Sequence, residues 1–278
     1  LTARPRRLSV TQIETWMRDP YSIYARHVLK LRPLDPIDAD PGAAERGTMI
    51  HEALDSFVRD HPDSLPADPL ASLIEQGEAA FGEALARPGV WAFWWPRFLR
   101  VARWFIDAER DYRLDVTATH TEVTGDLVIE APGGPFTLVA KADRVDRLND
   151  GTLSIIDYKT GGLPTGKDIA LGFSPQLPLE AAIAAAGGFQ GIPAGTVSRL
   201  EFWRLTGNDP AGERSPAAKD MEAVVAAASA GLAALVARFD DPETAYLSQP
   251  DPARASPWND YEHLARIQEW SSIGGEGD

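Results

Sequence analysis

Cysteine is absent from all 278 residues. That one absence removes disulfides, thiolate zinc sites, iron–sulfur clusters and cysteine nucleophiles together. Positive charge is scarce: 27 Lys and Arg stand against 41 Asp and Glu, a net charge of −14. Lys and Arg supply most of the grip on a phosphate backbone, so this balance argues against tight unaided binding to nucleic acid. It leaves room for an enzyme whose metal ions and partner proteins bring the positive potential. Long apolar runs are missing too, and none approaches the length of a membrane span. The start, Leu1-Thr-Ala-Arg-Pro-Arg-Arg, has neither an apolar signal core nor an initiator Met. We read the chain as cytoplasmic and as a piece of a longer protein. Its 44% hydrophobic and 24% charged content is that of a globular protein.

The first half reads as helical. Ser9 and Gln12 have the spacing of a capping box opening a helix through Trp16, and a second helix covers Tyr21 to Lys30. Three prolines make 32–44 a loop. A periodic helix follows from Gly47, with Ile50, Leu54, Phe57 and Val58 as its apolar stripe, then helices at 67–86 and 96–113. After Asp115 the texture changes to strands at 116–123, 127–130, 136–148 and 152–159, parted by Gly125-Asp126, Pro132-Gly133-Gly134 and Asn149-Asp150-Gly151 turns. A helix at 176–186, a strand at 197–205, a helix at 216–239 and a tail helix at 261–270 complete the order. This predicts one α/β domain over 1–278: a mainly helical part at 9–113, a core at 116–239, and a tail at 240–278 packing back on the first helices.

Chemistry concentrates at Asp157-Tyr158-Lys159, which ends a short β-branched run. Side chains two apart on a strand share a face, so Asp157 and Lys159 share one small volume. An isolated Asp-x-Lys is ordinarily an ion pair at a strand end. If 149–151 form a three-residue hairpin loop, Leu148 pairs with Thr152 and Asp143 falls opposite Asp157. Opposed carboxylates lie about 5 Å apart at Cβ and repel unless a cation or a proton intervenes. A two-residue loop would spoil this register. His51 lies at the edge of an apolar helical stripe, where a lone histidine is ordinarily a buried, satisfied imidazole.

Gly47-Thr-Met-Ile-His51, Asp143-Arg-Val-Asp146, Asp157-Tyr-Lys159-Thr-Gly161 and Gln176-Leu177 occur in an order that resembles the RecB-like branch of the PD-(D/E)XK nucleases. The resemblance covers roughly residues 9–205. Leu8-Ser-Val-Thr-Gln-Ile-Glu-Thr-Trp and Tyr261-Glu-His-Leu-Ala-Arg-Ile-Gln-Glu-Trp270 narrow it to the AddB-type nuclease domains of AddAB helicase–nucleases. It implies a restriction-endonuclease-like core: a mixed sheet flanked by helices, with an N-terminal helical part. It further implies His51, Asp143 and Asp157 as metal ligands, joined by the Tyr158 carbonyl. Lys159 would serve the attacking water and the charged phosphorus, and Gln176 would position Lys159 or the DNA. Mg²⁺ or Mn²⁺ suits these hard donors. The implied activity is exonuclease cleavage of single-stranded DNA, fed by an AddA-like helicase partner in double-strand-break repair. The rivals are a catalytically inactive DNA-guiding module of such a complex and a stand-alone exonuclease.

Three departures stand out. Ala140 replaces a usual glycine, Glu180 stands where a tyrosine commonly follows Gln-Leu, and Asp19 precedes Pro20 where iron–sulfur relatives carry a cysteine. The resemblance is therefore to the branch without a cluster, its ends fastened by packing around Tyr261, Leu264, Ile267 and Trp270. Elsewhere ordinary readings are preferred. The aromatics from Trp91 to Phe105 read as core or subunit interface, and Arg97, Arg100 and Arg103 as a solvated face. Arg144 with Asp146 reads as a structural ion pair. Glu122 is equally a metal or water partner and a strand-end carboxylate.

Overall fold

The computed structural model describes residues 3–33, 42–255, 259–267 and 269. A short strand β1 (Arg7–Ser9) runs into helix α1 (Val10–Arg18). Ser9 Oγ accepts from the Gln12 N–H at 3.2 Å while Gln12 Oε1 accepts from the Ser9 N–H at 2.9 Å, the capping box that the sequence predicts. Helix α2 (Pro20–Ile23) continues into a wide turn at Tyr24–Val28. Helices α3 (Ala43–Asp60), α4 (Pro69–Phe81) and α5 (Trp95–Tyr112) build the N-terminal helical part. Helix α3 starts four residues ahead of Gly47, because Glu45 reaches back to the Gly42 N–H at 3.0 Å and closes its first turn.

The core then follows: strands β2 (Val116–Ile129), β3 (Phe136–Leu148) and β4 (Leu153–Lys159), helices α6 (Gly166–Ala170) and α7 (Gln176–Ala185), strands β5 (Val197–Leu205) and β6 (Gly212–Pro216), and helix α8 (Met221–Asp240). They form a mixed six-stranded sheet in the order β1-β3-β4-β5-β6, with β2 also paired to β3. The β3–β4 ladder runs Arg144↔Ile156 to Arg147↔Leu153. Leu148 N–H reaches the Thr152 carbonyl at 2.8 Å, and Gly151 takes a φ of +83°. The loop is therefore the three-residue one, with glycine at the left-handed position where a side chain would be strained.

Residue alternation along β4 divides its side chains between two cores. Ile155 joins Leu8, Trp16, Leu177 and Phe202 beneath α1, α7 and α8. Ile156 and Tyr158 join Leu54, Phe57, Phe105 and Trp203 beneath α3 and α5. Asp157 falls on the Ile155 side and is buried at 2% exposure.

The structure corrects several sequence expectations. Gly125-Asp126 is not a turn: Gly125 pairs with Ala140 inside one long β2. A Cβ there would lie 2.5 Å from the Phe189 ring, so glycine admits the close approach of the neighbouring loop. Residues 212–216 are strand β6, so Pro216 closes a strand and does not open the predicted helix; α8 begins later, where Asp220 Oδ1 accepts from the Ala223 N–H at 3.0 Å. Contrary to the expectation that no apolar run approaches a membrane span, helix α8 is long and apolar enough to cross one by length and composition. Its Leu232, Val236 and Phe239 row is buried in the core, while most of its alanines face outward. In the tail, 261–266 form successive turns, and Trp270 lies outside the described residues.

Candidate active site

Strand β4 delivers Asp157 and Lys159 to one face, and the first residue of α7 delivers Gln176 above them. Lys159 Nζ lies 3.0 Å from Asp157 Oδ1 and 2.8 Å from Oδ2, and donates to Gln176 Oε1 at 3.1 Å. Gln176 Nε2 donates to Asp157 Oδ1 at 2.6 Å and to Glu180 Oε1 at 3.3 Å. With acceptors on both sides of its nitrogen, the amide has one orientation, and its oxygen is left for the ammonium.

The ladder ends at Arg144↔Ile156, and Asp143, one residue beyond it, meets β4 through its side chain. Its Oδ2 accepts from the Tyr158 N–H at 2.8 Å and lies 3.6 Å from His51 Nδ1. The structure thus forms two linked groups: Asp157, Lys159, Gln176 and Glu180, and beside them Asp143, His51 and the Tyr158 backbone. The Tyr158 ring lies on the opposite face of β4 from Asp157 and packs edge-on against His51, Phe105 and Trp203, anchoring the strand that carries the site.

Burial and charge set the protonation states. Burial and the nearby Asp143 charge push Asp157 up to about 6, against the pull of Lys159. Burial also raises Glu180 well above its ordinary value, with the Asp157 and Asp143 charges adding to it. Burial opposes the ammonium of Lys159, but the charge and hydrogen bond of Asp157 outweigh it and raise the lysine, keeping it charged. His51 is raised in the same way: burial lowers it, while the hydrogen bond and charge of Asp143 more than compensate.

Sequence reasoning had no role for Glu180, which is 1% exposed and has a buried Oε2 with no hydrogen-bond partner. It missed Glu14 of α1, which lies near enough for the Lys159 charge to act on it. The signal for Glu180 was its place one turn beyond Gln176 on the same helix face. For Glu14 there was none. Glu122 sits where β2 would pair with Asp143, but takes a φ of +52° and turns its carboxylate to Lys141. Arg144 and Asp146 form the expected buried pair, at 2.7 Å, extended to Glu109 at 2.5 Å.

Among the described residues, no group of three or more His, Asp and Glu side chains stands ready around a metal position. Asp157 takes its bonds from Lys159 and Gln176. The chemistry of the donors still fits a hard divalent cation. Carboxylate oxygens predominate beside one imidazole, and Glu180 Oε2 is buried without a hydrogen bond.

A mixed sheet between helical layers, with Asp-x-Lys ending a central strand, is the architecture of the PD-(D/E)XK class. The model of the PD-(D/E)XK nuclease superfamily matches residues 7–254, and the chain belongs to that superfamily. Among individual proteins, it is 31% identical over 185 residues to an uncharacterized protein of Rickettsia bellii, covering 66% of this chain and 22% of that protein. An uncharacterized protein of Rickettsia conorii is 30% identical over 189 residues, 66% of this chain and 23% of the relative. An ATP-dependent helicase/deoxyribonuclease subunit of Streptococcus agalactiae is 24% identical over 191 residues, 62% of this chain and 16% of that relative. The chain spans about a fifth of the length of the Rickettsia relatives.

Proposed function

We propose that this chain is a metal-dependent deoxyribonuclease module that hydrolyses phosphodiester bonds of single-stranded DNA. We further propose that it works as an exonuclease, on strands fed by a helicase motor, in the cytoplasm and during double-strand-break repair. The observation that carries this reading is the buried Asp157 with Lys159 held on the same face by Asp157 and Gln176, and Asp143 bonded to the adjacent Tyr158 N–H. The likeness to a helicase/deoxyribonuclease subunit supports the helicase part.

His51, Asp143, Asp157 and the Tyr158 carbonyl would hold Mg²⁺ or Mn²⁺. When bound, such an ion polarises the scissile phosphate and lowers the pKa of its water. The chain's own residues do the rest. Lys159 stays charged, so it acts as an ammonium that stabilises negative charge on the phosphate oxygens and not as a base. Gln176 fixes the direction of that ammonium. Water attacks phosphorus, the phosphorus–oxygen bond to the leaving sugar breaks, and the leaving oxygen takes a proton.

The test is cleavage of end-labelled single-stranded DNA with Mg²⁺ or Mn²⁺. Wild type cuts; Asp157→Ala abolishes cutting; Lys159→Ala lowers kcat by roughly 100- to 1000-fold. Absence of metal-dependent cutting by the wild type, alone and together with a helicase partner, overturns the enzyme reading in favour of an inactive guiding module.

A further inference from the structure

The chain is acidic overall, yet residues 84–106 contain four arginines, seven aromatic residues and no acid. The structure divides this segment. Trp95, Phe98 and Phe105 are buried, as a core reading requires, but Phe93 is 69% exposed. Phe93, Arg97 and Arg100 follow at four- and three-residue steps, so they share one face of the continuous helical run into α5.

That face leads towards the candidate active site. Arg100 Nε donates to the Gly207 carbonyl at 2.5 Å, and a Cβ on Gly207 would lie 2.5 Å from the Arg97 carbonyl oxygen. Gly207 follows β5, whose Arg204 pairs with Lys159 and donates to the Gly161 carbonyl at 3.2 Å. Arg46 of α3 completes the link. A Cβ on the adjacent Gly47 would lie 3.0 Å from Thr160 Oγ1, next to Lys159. Burial and the nearby Arg97 charge both disfavour the Arg46 guanidinium. Neither Arg46 nor Arg97 forms a side-chain hydrogen bond or ion pair among the described residues. Two like charges without a partner among the described residues, in a chain of net charge −14, mark a place for an anion. An exposed ring beside them adds a surface on which any base can stack.

We propose that Phe93, Arg97, Arg100 and Arg46 form a docking track for single-stranded DNA, with a base stacked on Phe93 and phosphates met by the arginines, leading the strand to Lys159. This rests on the deoxyribonuclease reading and adds the path by which its substrate arrives. The arginines supply local positive potential that the chain as a whole lacks.

The test is fluorescence anisotropy of labelled oligothymidylate without divalent metal, with thermal melts to show that each variant folds. Phe93→Leu weakens binding roughly 5- to 100-fold, the range of one missing base stack, and Phe93→Trp restores it. Arg46→Gln with Arg97→Gln flattens log affinity against log salt by about 0.7 for each phosphate no longer neutralised. Folded variants with wild-type affinity and salt slope overturn the track; if the wild type still cuts single strands, the nuclease reading stands without it. A wild type that neither binds nor cuts removes both. If Phe93→Leu changes only the oligomeric state or the hold on a protein partner, that surface belongs to a protein and the track is overturned.

Discussion

Glu180 shows how one residue can sharpen a site while weakening a fold. Its carboxyl sits in the core at 1% exposure, and burial and the nearby Asp157 charge raise its pKa well above 4.5. Between pH 4.5 and that raised value, the folded protein keeps a proton that the unfolded chain has released. Stability therefore falls as pH rises through this window, because the folded state binds more protons. In return, Oε1 holds the Gln176 nitrogen and so settles which end of the amide meets Lys159. Glu180→Gln keeps an acceptor for Gln176 and removes the buried charge. Thermal melts should show it more stable than wild type at about pH 8, by roughly 2–4 °C per kcal/mol recovered, with no difference near pH 4. A variant equally destabilised at both pH values would show that the carboxylate is stabilising and not a cost.

At the scale of elements, the β3–β4 hairpin sets the site through its length. Asn149, Asp150 and Gly151 fix the ladder, and the ladder leaves Asp143 at its end, with Oδ2 on the Tyr158 N–H beside Asp157. Deleting Asp150 leaves two loop residues and moves the register by one, which turns one strand's side chains to the other face. The expected result is a fall in cleavage of at least about 100-fold, the size of removing one electrostatic contributor, with the far-UV circular dichroism of a folded chain. Retained cleavage would mean that the opposed acids are not what the hairpin is for.

This element was legible because turn chemistry and two-residue alternation are local, and so were the capping box of Ser9 and Gln12 and strand β5. Strands β1 and β6 were not, since three and five residues at sheet edges owe their conformation to partners far along the chain. Gly125 was misread for a related reason. Its role is the passage of Phe189, which only the tertiary structure brings near. Asp143, Asp157 and Lys159 were legible as neighbours from strand alternation and the hairpin loop, while His51 and Gln176 entered through the resemblance. The burial of Glu180 and the split of the aromatic segment into core and exposed ring depend on which face each helix presents, and composition does not carry that.

At the scale of the whole molecule, the two chain ends are joined through Asp19, which is 5% exposed. Its carboxylate accepts from Ser22 Oγ at 2.5 Å, from Asn259 Nδ2 at 2.9 Å and from the Gln249 N–H at 3.0 Å. Tyr261 adds a bond to the Leu31 carbonyl at 3.0 Å, and the Tyr21 N–H meets the Leu247 carbonyl at 3.1 Å. Polar bonds thus gather at the position where the resemblance has a cluster-binding cysteine, alongside the buried ring of Tyr261. Hydrogen bonds to a charged acceptor contribute about 1.5–3 kcal/mol each, and partners left buried without one cost more. Asp19→Ala should therefore release the segment from Leu247 to Tyr261 well before the sheet unfolds. Hydrogen exchange would show weakened protection at the Gln249 amide while β3 and β4 keep theirs. Asp19→Asn, which retains an acceptor but not the charge, should fall between. If Asp19→Ala instead lowers protection throughout the sheet, the tail is part of the folding core, and the junction at Asp19 supports the whole domain and not its ends alone.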